Sequence, residues 1–290
     1  MATPAQWLEG ARPRTLPAAV APVLAGTAVV LHTGDEVWWK AALALVVSLA
    51  LQVGVNYAND YSDGVRGTDD DRVGPMRLVG SGAASPAAVR GAAFACFGVA
   101  AVAGLVLAVT TAWWLVVVGA VSILAAWTYT GGKRPYGYAG LGEVMVFVFF
   151  GLVATVGTTY VIADAAPLHS WLAGAAVGAL ASGILVANNL RDIPTDEIAG
   201  KMTLPVRLGD RNTRFFYAAL AVLAVICVIG FAALTTWWAL IALLGGALLV
   251  EPLRRVLGGA NGRGLIPVIQ STGFAEIGIG LGLLVGTYLA

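Results

Sequence analysis

The chain has 290 residues, of which 59% are hydrophobic and only 11% charged, with a formal net charge of +1. A soluble domain carries about a quarter of its residues as charges, so this chain cannot clothe itself in polar surface, and lipid must be its solvent. The small net charge gives no footprint for nucleic acid, and the two cysteines, Cys96 and Cys227, lie in apolar runs without metal-ligand spacing.

Arg12 and Arg14 precede an apolar run over 16–31 that superficially resembles a signal peptide, but eight more apolar segments follow, which makes it a first transmembrane helix. A spanning helix needs about 20 mostly apolar residues. That length predicts nine spans, near 15–33, 38–58, 87–110, 112–130, 140–161, 170–188, 213–233, 237–253 and 265–288. The expected fold is therefore an all-α integral membrane protein, a single polytopic domain over 1–290, because irregular backbone cannot face hydrocarbon. Loops after the odd-numbered spans are short and nearly free of basic residues. The N-terminal segment, the even-numbered loops and their flanking helix ends hold sixteen of the seventeen Lys and Arg residues, all but Lys40. Positive charge collects on the cytoplasmic side, so the N-terminus and even-numbered loops are expected there and the C-terminus outside. Trp38-Trp39, Trp113-Trp114, Trp171 and Trp237-Trp238 stand where the even-numbered spans begin and form an aromatic belt at the external interface.

The second span ends in Asn56-Tyr57-Ala58-Asn59-Asp60-Tyr61-Ser62-Asp63. At 3.6 residues per turn, Asn56, Asn59, Asp60 and Asp63 share one face of about 100°. Such a face could be interfacial trim, yet an Asp costs roughly 2.5–3.5 kcal/mol at mid-bilayer, so acids beside a span are seldom idle. The following loop adds Asp69-Asp70-Asp71, among Arg66, Arg72 and Arg77. The sixth span ends in Asn188-Asn189-Leu190-Arg191-Asp192-Ile193-Pro194-Thr195-Asp196. Asn188 and Asp192 repeat the Asn56 and Asp60 spacing four spans later, which suggests a duplication of spans 1–4 in spans 5–8. Pro194 removes a helical hydrogen bond and biases Ile193 toward extended backbone, so a kink is expected between Asp192 and Asp196.

Four carboxylates gathered at one boundary repel one another unless some hold protons or divalent cations lie between them. Carboxylate and Asn oxygens are hard ligands suited to Mg²⁺, and the absence of His or Cys argues against zinc. Mg²⁺ prefers a few carboxylates plus phosphate oxygens, so the clusters imply a phosphorylated ligand. Arg12, Arg14, Lys133, Arg134, Lys201 and Arg207 stand on the same side. Each alone is explained by charge sidedness; as a set they make a candidate diphosphate clamp. Glu276 lies deep in the ninth span near Gln270, Ser271 and Thr272, where a substrate-cavity role and a structural hydrogen bond are equally open. Glu143 is closer to an interface and less informative.

The chain resembles the UbiA-type intramembrane aromatic prenyltransferases. The likeness is carried by Arg12-Pro13-Arg14-Thr15-Leu16-Pro17, by Asn59-Asp60-Tyr61-Ser62-Asp63 running on through Gly67-Thr68-Asp69, by Tyr129-Thr130-Gly131-Gly132-Lys133-Arg134-Pro135, and by the stretch 188–209. The first and last resemble the branch that prenylates 1,4-dihydroxy-2-naphthoate in menaquinone synthesis. A third acid stands at Asp69 where the wider family's spacing falls on Gly67. The resemblance implies nine helices around a cavity open to the cytoplasmic face and to lipid, in a bacterial cytoplasmic membrane. It implies two Mg²⁺ ions, held by Asn59, Asp60 and Asp63, with Asn56 beside them, and by Asn188, Asp192 and Asp196. It places Lys133, Arg134, Lys201 and Arg14 on the diphosphate, and marks Arg12, Tyr57, Asp69, Tyr129, Asn189, Gln270 and Glu276 as candidate cavity residues. A polyprenyl diphosphate and 1,4-dihydroxy-2-naphthoate are the implied substrates, with 4-hydroxybenzoate as an alternative acceptor. A cation-coupled transporter would also show repeated halves, but its acids would lie at the midplane rather than at helix ends.

Overall fold

The computed structural model describes residues 2–34, 37–67 and 76–290. Asp69, and with it Asp70, Asp71 and Arg72, lies outside the described residues.

A short helix, α1 (Pro4–Gly10), opens the chain. Thr3 and Gln6 cap it reciprocally, with Gln6 N–H donating to Thr3 Oγ1 at 3.3 Å and Thr3 N–H to Gln6 Oε1 at 2.8 Å. A single tight turn (Pro13–Thr15) joins it to α2 (Pro17–Thr33) across a 49° bend. Then come α3 (Trp38–Arg66), which stops at the left-handed Gly67, and α4 (Pro86–Thr110), capped by Ser85. The 14-residue α5 (Leu115–Thr128) follows. The next span is continuous but changes pitch, from α6 (Gly142–Val146) through a π-helical stretch (Phe147–Val153) to α7 (Ala154–Ala163). After it run α8 (Leu168–Ile198) and α9 (Leu204–Leu234), the latter broken at Gly209, where φ is 75°. The stretch 237–257 is a chain of short pieces including α10 (Ala242–Gly246) and α11 (Val250–Leu257), and α12 (Ile266–Tyr288) closes the fold.

Among the described residues six helices are long and apolar enough to cross a membrane, seven if the bent pair around Leu16 is one span. Nine were expected from the sequence. The fourth appears as α5, which at 1.5 Å per residue reaches about 21 Å against a hydrocarbon core of about 30 Å. The eighth is fragmented where Gly245 lies against the backbone of α12. A Cβ on Gly245 would sit 2.4 Å from the carbonyl carbon of Gly278, so the two helices touch through bare backbone. The suggested duplication rests only on α3 and α8 each ending in an Asn/Asp cluster.

The central element is α8, with 78% of its apolar window buried inside the protein. Its Ala and Gly face meets α2, α9, α12 and the π-helical stretch. At the last of these a Cβ on Gly151 would stand 2.5 Å from Gly178 Cα. Without a hydrophobic drive between helices in lipid, close small-residue packing supplies the van der Waals contact that holds such a bundle.

Candidate active site

The polar face at the end of α3 divides into two rows. Residues four apart in a helix stack nearly in line, whereas residues three apart diverge by about 60°. Asn56 and Asp60 form one row and Asn59 and Asp63 the other. Asn56 Nδ2 donates to the Ala11 carbonyl and to Thr15 Oγ1, both at 2.9 Å, tying down the segment that carries Arg12. Asp60 accepts from the backbone N–H of Leu78 at 2.8 Å and of Val79 at 3.0 Å, and is 1% exposed. The second row faces inward. Asn59 Oδ1 accepts from Thr130 Oγ1 at 2.7 Å, and Asp63 Oδ1 accepts from the Tyr138 hydroxyl at 2.5 Å. Lys201 Nζ stands 3.7 Å and Arg77 3.8 Å from the Asp63 carboxylate. Lys201 also sits 4.8 Å over the Tyr138 ring, with the Arg66 guanidinium 5.4 Å from the same ring. Arg66 donates to the carbonyls of Thr130 and Gly132, fastening that loop to the end of α3.

The second cluster comes from α8, which runs unbroken through Pro194 to Ile198. Pro194 does not break the helix: it lacks the N–H that would bond back to Leu190, and the Thr195 hydroxyl donates to Asp192 O at 2.9 Å in the same turn. Asp192 and Asp196 are therefore successive residues of one helical row. Arg191 forks onto Asp192, with both contacts at 2.7 Å, and reaches Asn188 Oδ1 at 2.8 Å. Asn189 Nδ2 donates to Glu143 Oε1 at 2.8 Å, a buried bond between α8 and α6.

Both clusters open on one cavity of about 380 Å³. Its polar end is formed by Asn59, Asp63, Asp192, Asp196, Lys201 and Arg77, and its body by apolar side chains such as Leu107, Val118, Phe149 and Val161. Of the residues singled out from sequence, Arg12, Asn56, Asn59, Asp63, Tyr129, Asn188, Asn189, Asp192, Asp196 and Lys201 line it. Asp60, Tyr57, Gln270 and Glu276 do not. The Tyr57 hydroxyl donates to Trp7 O at 2.9 Å and holds α1. Glu276 is fully buried in α12 and makes no hydrogen bond among the described residues. Arg14, Lys133 and Arg134 are exposed and stand off the lining.

Among the described residues no three acidic, His or Cys side chains are grouped to hold a metal ion unaided. That arrangement fits Mg²⁺, which takes only a few protein oxygens and completes its shell with water and phosphate. The hard oxygens of Asn59, Asp63, Asn188, Asp192 and Asp196 around one polar end are such a partial set.

Sequence reasoning missed Tyr138, Arg77 and Arg191 as partners of the acids. A basic residue adjacent to Asp192 was the available signal for Arg191. Nothing local announces Tyr138, which meets Asp63 across 75 positions of chain.

Comparison with known proteins adds four likenesses. Residues 19–262 match the model of the UbiA prenyltransferase family. The chain is 55% identical over 278 residues to the 1,4-dihydroxy-2-naphthoate octaprenyltransferase of Mycobacterium tuberculosis, covering 96% of this chain and 94% of that one. Its fold matches a UbiA homolog from Aeropyrum pernix K1, with TM-score 0.72 at 19% identity over 92% of this chain and 97% of that one. It also matches a UbiA homolog from Archaeoglobus fulgidus bound to GPP and Mg²⁺, with TM-score 0.62 at 16% identity over 96% and 99%.

Proposed function

The chain belongs to the UbiA prenyltransferase family, and from that premise we propose that it transfers a polyprenyl group from polyprenyl diphosphate to 1,4-dihydroxy-2-naphthoate, a step of menaquinone biosynthesis. The observation that carries this reading is the two-part cavity: an oxygen-rich, cationic end suited to a metal-bound diphosphate, continuous with an apolar body suited to a prenyl chain.

In this reading Asn59 and Asp63 from α3, with Asn188, Asp192 and Asp196 from α8, hold the Mg²⁺. When bound, the metal supplies Lewis-acid stabilisation of the charge that develops on the departing diphosphate. Lys201 and Arg77, already turned toward Asp63, add charge-assisted hydrogen bonds to the phosphate oxygens, stronger in this buried setting than in water. Arg12 lines the same cavity and provides a cation for the carboxylate of the acceptor. The apolar walls exclude the water that would otherwise trap the allylic cation. The acceptor carbon bearing the carboxylate forms the new C–C bond. Release of CO₂ then returns its electron pair to the ring, giving a demethylmenaquinol, CO₂ and diphosphate. The protein lies in the bacterial inner membrane as a multi-pass chain, with its N-terminus and this site on the cytoplasmic side and its C-terminus outside.

The test is to supply purified protein in detergent with Mg²⁺, a polyprenyl diphosphate and carboxyl-labelled 1,4-dihydroxy-2-naphthoate. The expected result is one labelled CO₂ released per prenylation, dependent on both Mg²⁺ and the diphosphate. A prenylated product that keeps its carboxylate, or a preference for 4-hydroxybenzoate, overturns the acceptor assignment.

A further inference from the structure

The two carboxylates of the α3 cluster have different surroundings, and this suggests different tasks. Asp63 opens on the cavity among Tyr138, Lys201 and Arg77. Asp60, three residues earlier, does not line the cavity. Each of its oxygens accepts one backbone N–H, from Leu78 and from Val79, at 2.8 and 3.0 Å. These two amides immediately follow Arg77, which lines the cavity beside Asp63.

We propose that Asp60 is a positioning residue rather than a metal ligand: its carboxylate pins the backbone at Leu78 and Val79 and thereby holds the Arg77 guanidinium at the diphosphate end of the cavity. The inference rests on the prenyl-diphosphate reading of that cavity, but not on the identity of the acceptor. The physical case has three parts. A buried carboxylate is stable only with strong donors, and two charge-assisted backbone bonds supply them. The segment so held is packed on its other side: Leu78 is fully buried, a Cβ on Gly10 would sit 2.7 Å from its side chain, and one on Gly64 would sit 2.5 Å from that of Val79. Arg77 is therefore presented from a fixed backbone, which lowers the entropy lost when it takes hold of a ligand. Asn56, four residues earlier in the same row, makes the matching attachment to the Ala11 to Thr15 segment that bears Arg12. Asn56 and Asp60 thus anchor the two arginine-bearing segments, Asn56 also lining the cavity, while Asn59 and Asp63 offer their oxygens to the ligand.

The two roles make opposite demands on the same amides, so the unmodified protein can distinguish them. Backbone hydrogen exchange across 76–84 is followed in detergent-solubilised wild type, alone and with Mg²⁺ plus inorganic pyrophosphate. Coordination of the metal by these same two oxygens would draw electron density from the amide bonds and weaken both, which would raise exchange at Leu78 and Val79 when the ligands are added. A positioning residue keeps its bonds, so exchange there stays equal or slows. Asp60→Asn, with one acceptor lost, is expected to speed exchange at these amides on the order of tenfold. It should also raise KM for the prenyl diphosphate more than it lowers kcat, with the Mg²⁺ concentration for half-activation unchanged. Asp63→Asn should raise that concentration and leave the exchange alone. Faster exchange in wild type on adding Mg²⁺ and pyrophosphate, or a Mg²⁺ requirement in Asp60→Asn shifted as far as in Asp63→Asn, overturns the proposal. The exchange measurement reads no turnover, so its result stands apart from whether naphthoate is the acceptor.

Discussion

Lys201 and Lys133 show how far two similar residues can differ. Both follow an even-numbered span on the basic side of the chain and both suit a phosphate by charge. Lys201 is 12% exposed at its side chain and 3.7 Å from Asp63, whereas Lys133 is exposed and off the cavity lining. A charge-assisted bond in a partly desolvated site contributes about 1.5–3 kcal/mol, whereas an exposed ion contact contributes 0–1 kcal/mol. Lys201→Ala is therefore expected to cut kcat/KM for the prenyl diphosphate by roughly ten- to a hundredfold. Lys133→Ala should change it by less than about fivefold. Equal losses in steady-state assays of the two purified variants would contradict the geometry. Tyr138 makes a subtler case, since its hydroxyl bonds Asp63 and its ring lies beneath Lys201. Tyr138→Phe keeps the ring and removes one hydrogen bond, so a loss of about three- to tenfold is expected. Tyr138→Ala should cost more, and a Phe variant as impaired as the Ala variant would show that the ring contributes nothing.

At the level of elements, the cavity depends on how closely the span containing α6 and α7 approaches α8. The approach is set by Gly151, whose absent side chain leaves room for Gly178 Cα at 2.5 Å from the Cβ position. The change of pitch over Phe147–Val153 lies at this contact, and the same stretch directs Phe149, Phe150 and Val153 into the cavity. Irregular helical turns of this type recur where function requires a side chain to be re-aimed. Gly151→Val has no flexible neighbour to displace, only backbone, so overpacking should cost about 1–3 kcal/mol or more. A lowered melting temperature in detergent checks it. Gly157→Ala is the control, because a Cβ there meets nothing within 4 Å. Matching melting curves for the two variants would mean that this seam does not limit stability.

For the molecule as a whole, the proposed orientation rests on charge. In that topology sixteen of seventeen Lys and Arg residues fall on one side, together with both Asn/Asp clusters. A single cysteine introduced at Glu197, at the end of α8 next to the candidate site, is expected to resist a membrane-impermeant thiol reagent added to intact cells. It should label fully once the membrane is opened. Labelling from outside would reverse the topology and put the diphosphate end on the wrong face for a cytoplasmic substrate. Chelation offers a second whole-molecule check. Removing divalent cations should abolish prenyl transfer, and added Mg²⁺ should restore it, with no change in the helical circular dichroism, since the helices are joined by packing rather than by metal.

Much of this architecture was legible from the amino-acid sequence alone. Hydrophobic composition dictates a membrane solvent, and 3.6-residue periodicity puts Asn56, Asn59, Asp60 and Asp63 on one face of one helix. Span number was legible only approximately, because hydropathy measures what a segment can cross and not whether a glycine contact such as Gly245 on Gly278 fragments it. What only the tertiary structure decided is the division of labour within the polar face. Periodicity fixes the azimuth of a side chain on its own helix. Which partner each side chain of that face meets, and that Asn56, Asn59 and Asp63 line the cavity while Asp60 does not, depends on segments far away in the chain: Ala11 to Thr15 for Asn56, Leu78 and Val79 for Asp60, and Tyr138 with Lys201 for Asp63. The same holds for the cations, since charge alone makes Arg14, Lys133 and Lys201 equivalent. Packing exposes the first two and brings the third against Asp63, because burial is a property of neighbours and not of residue type.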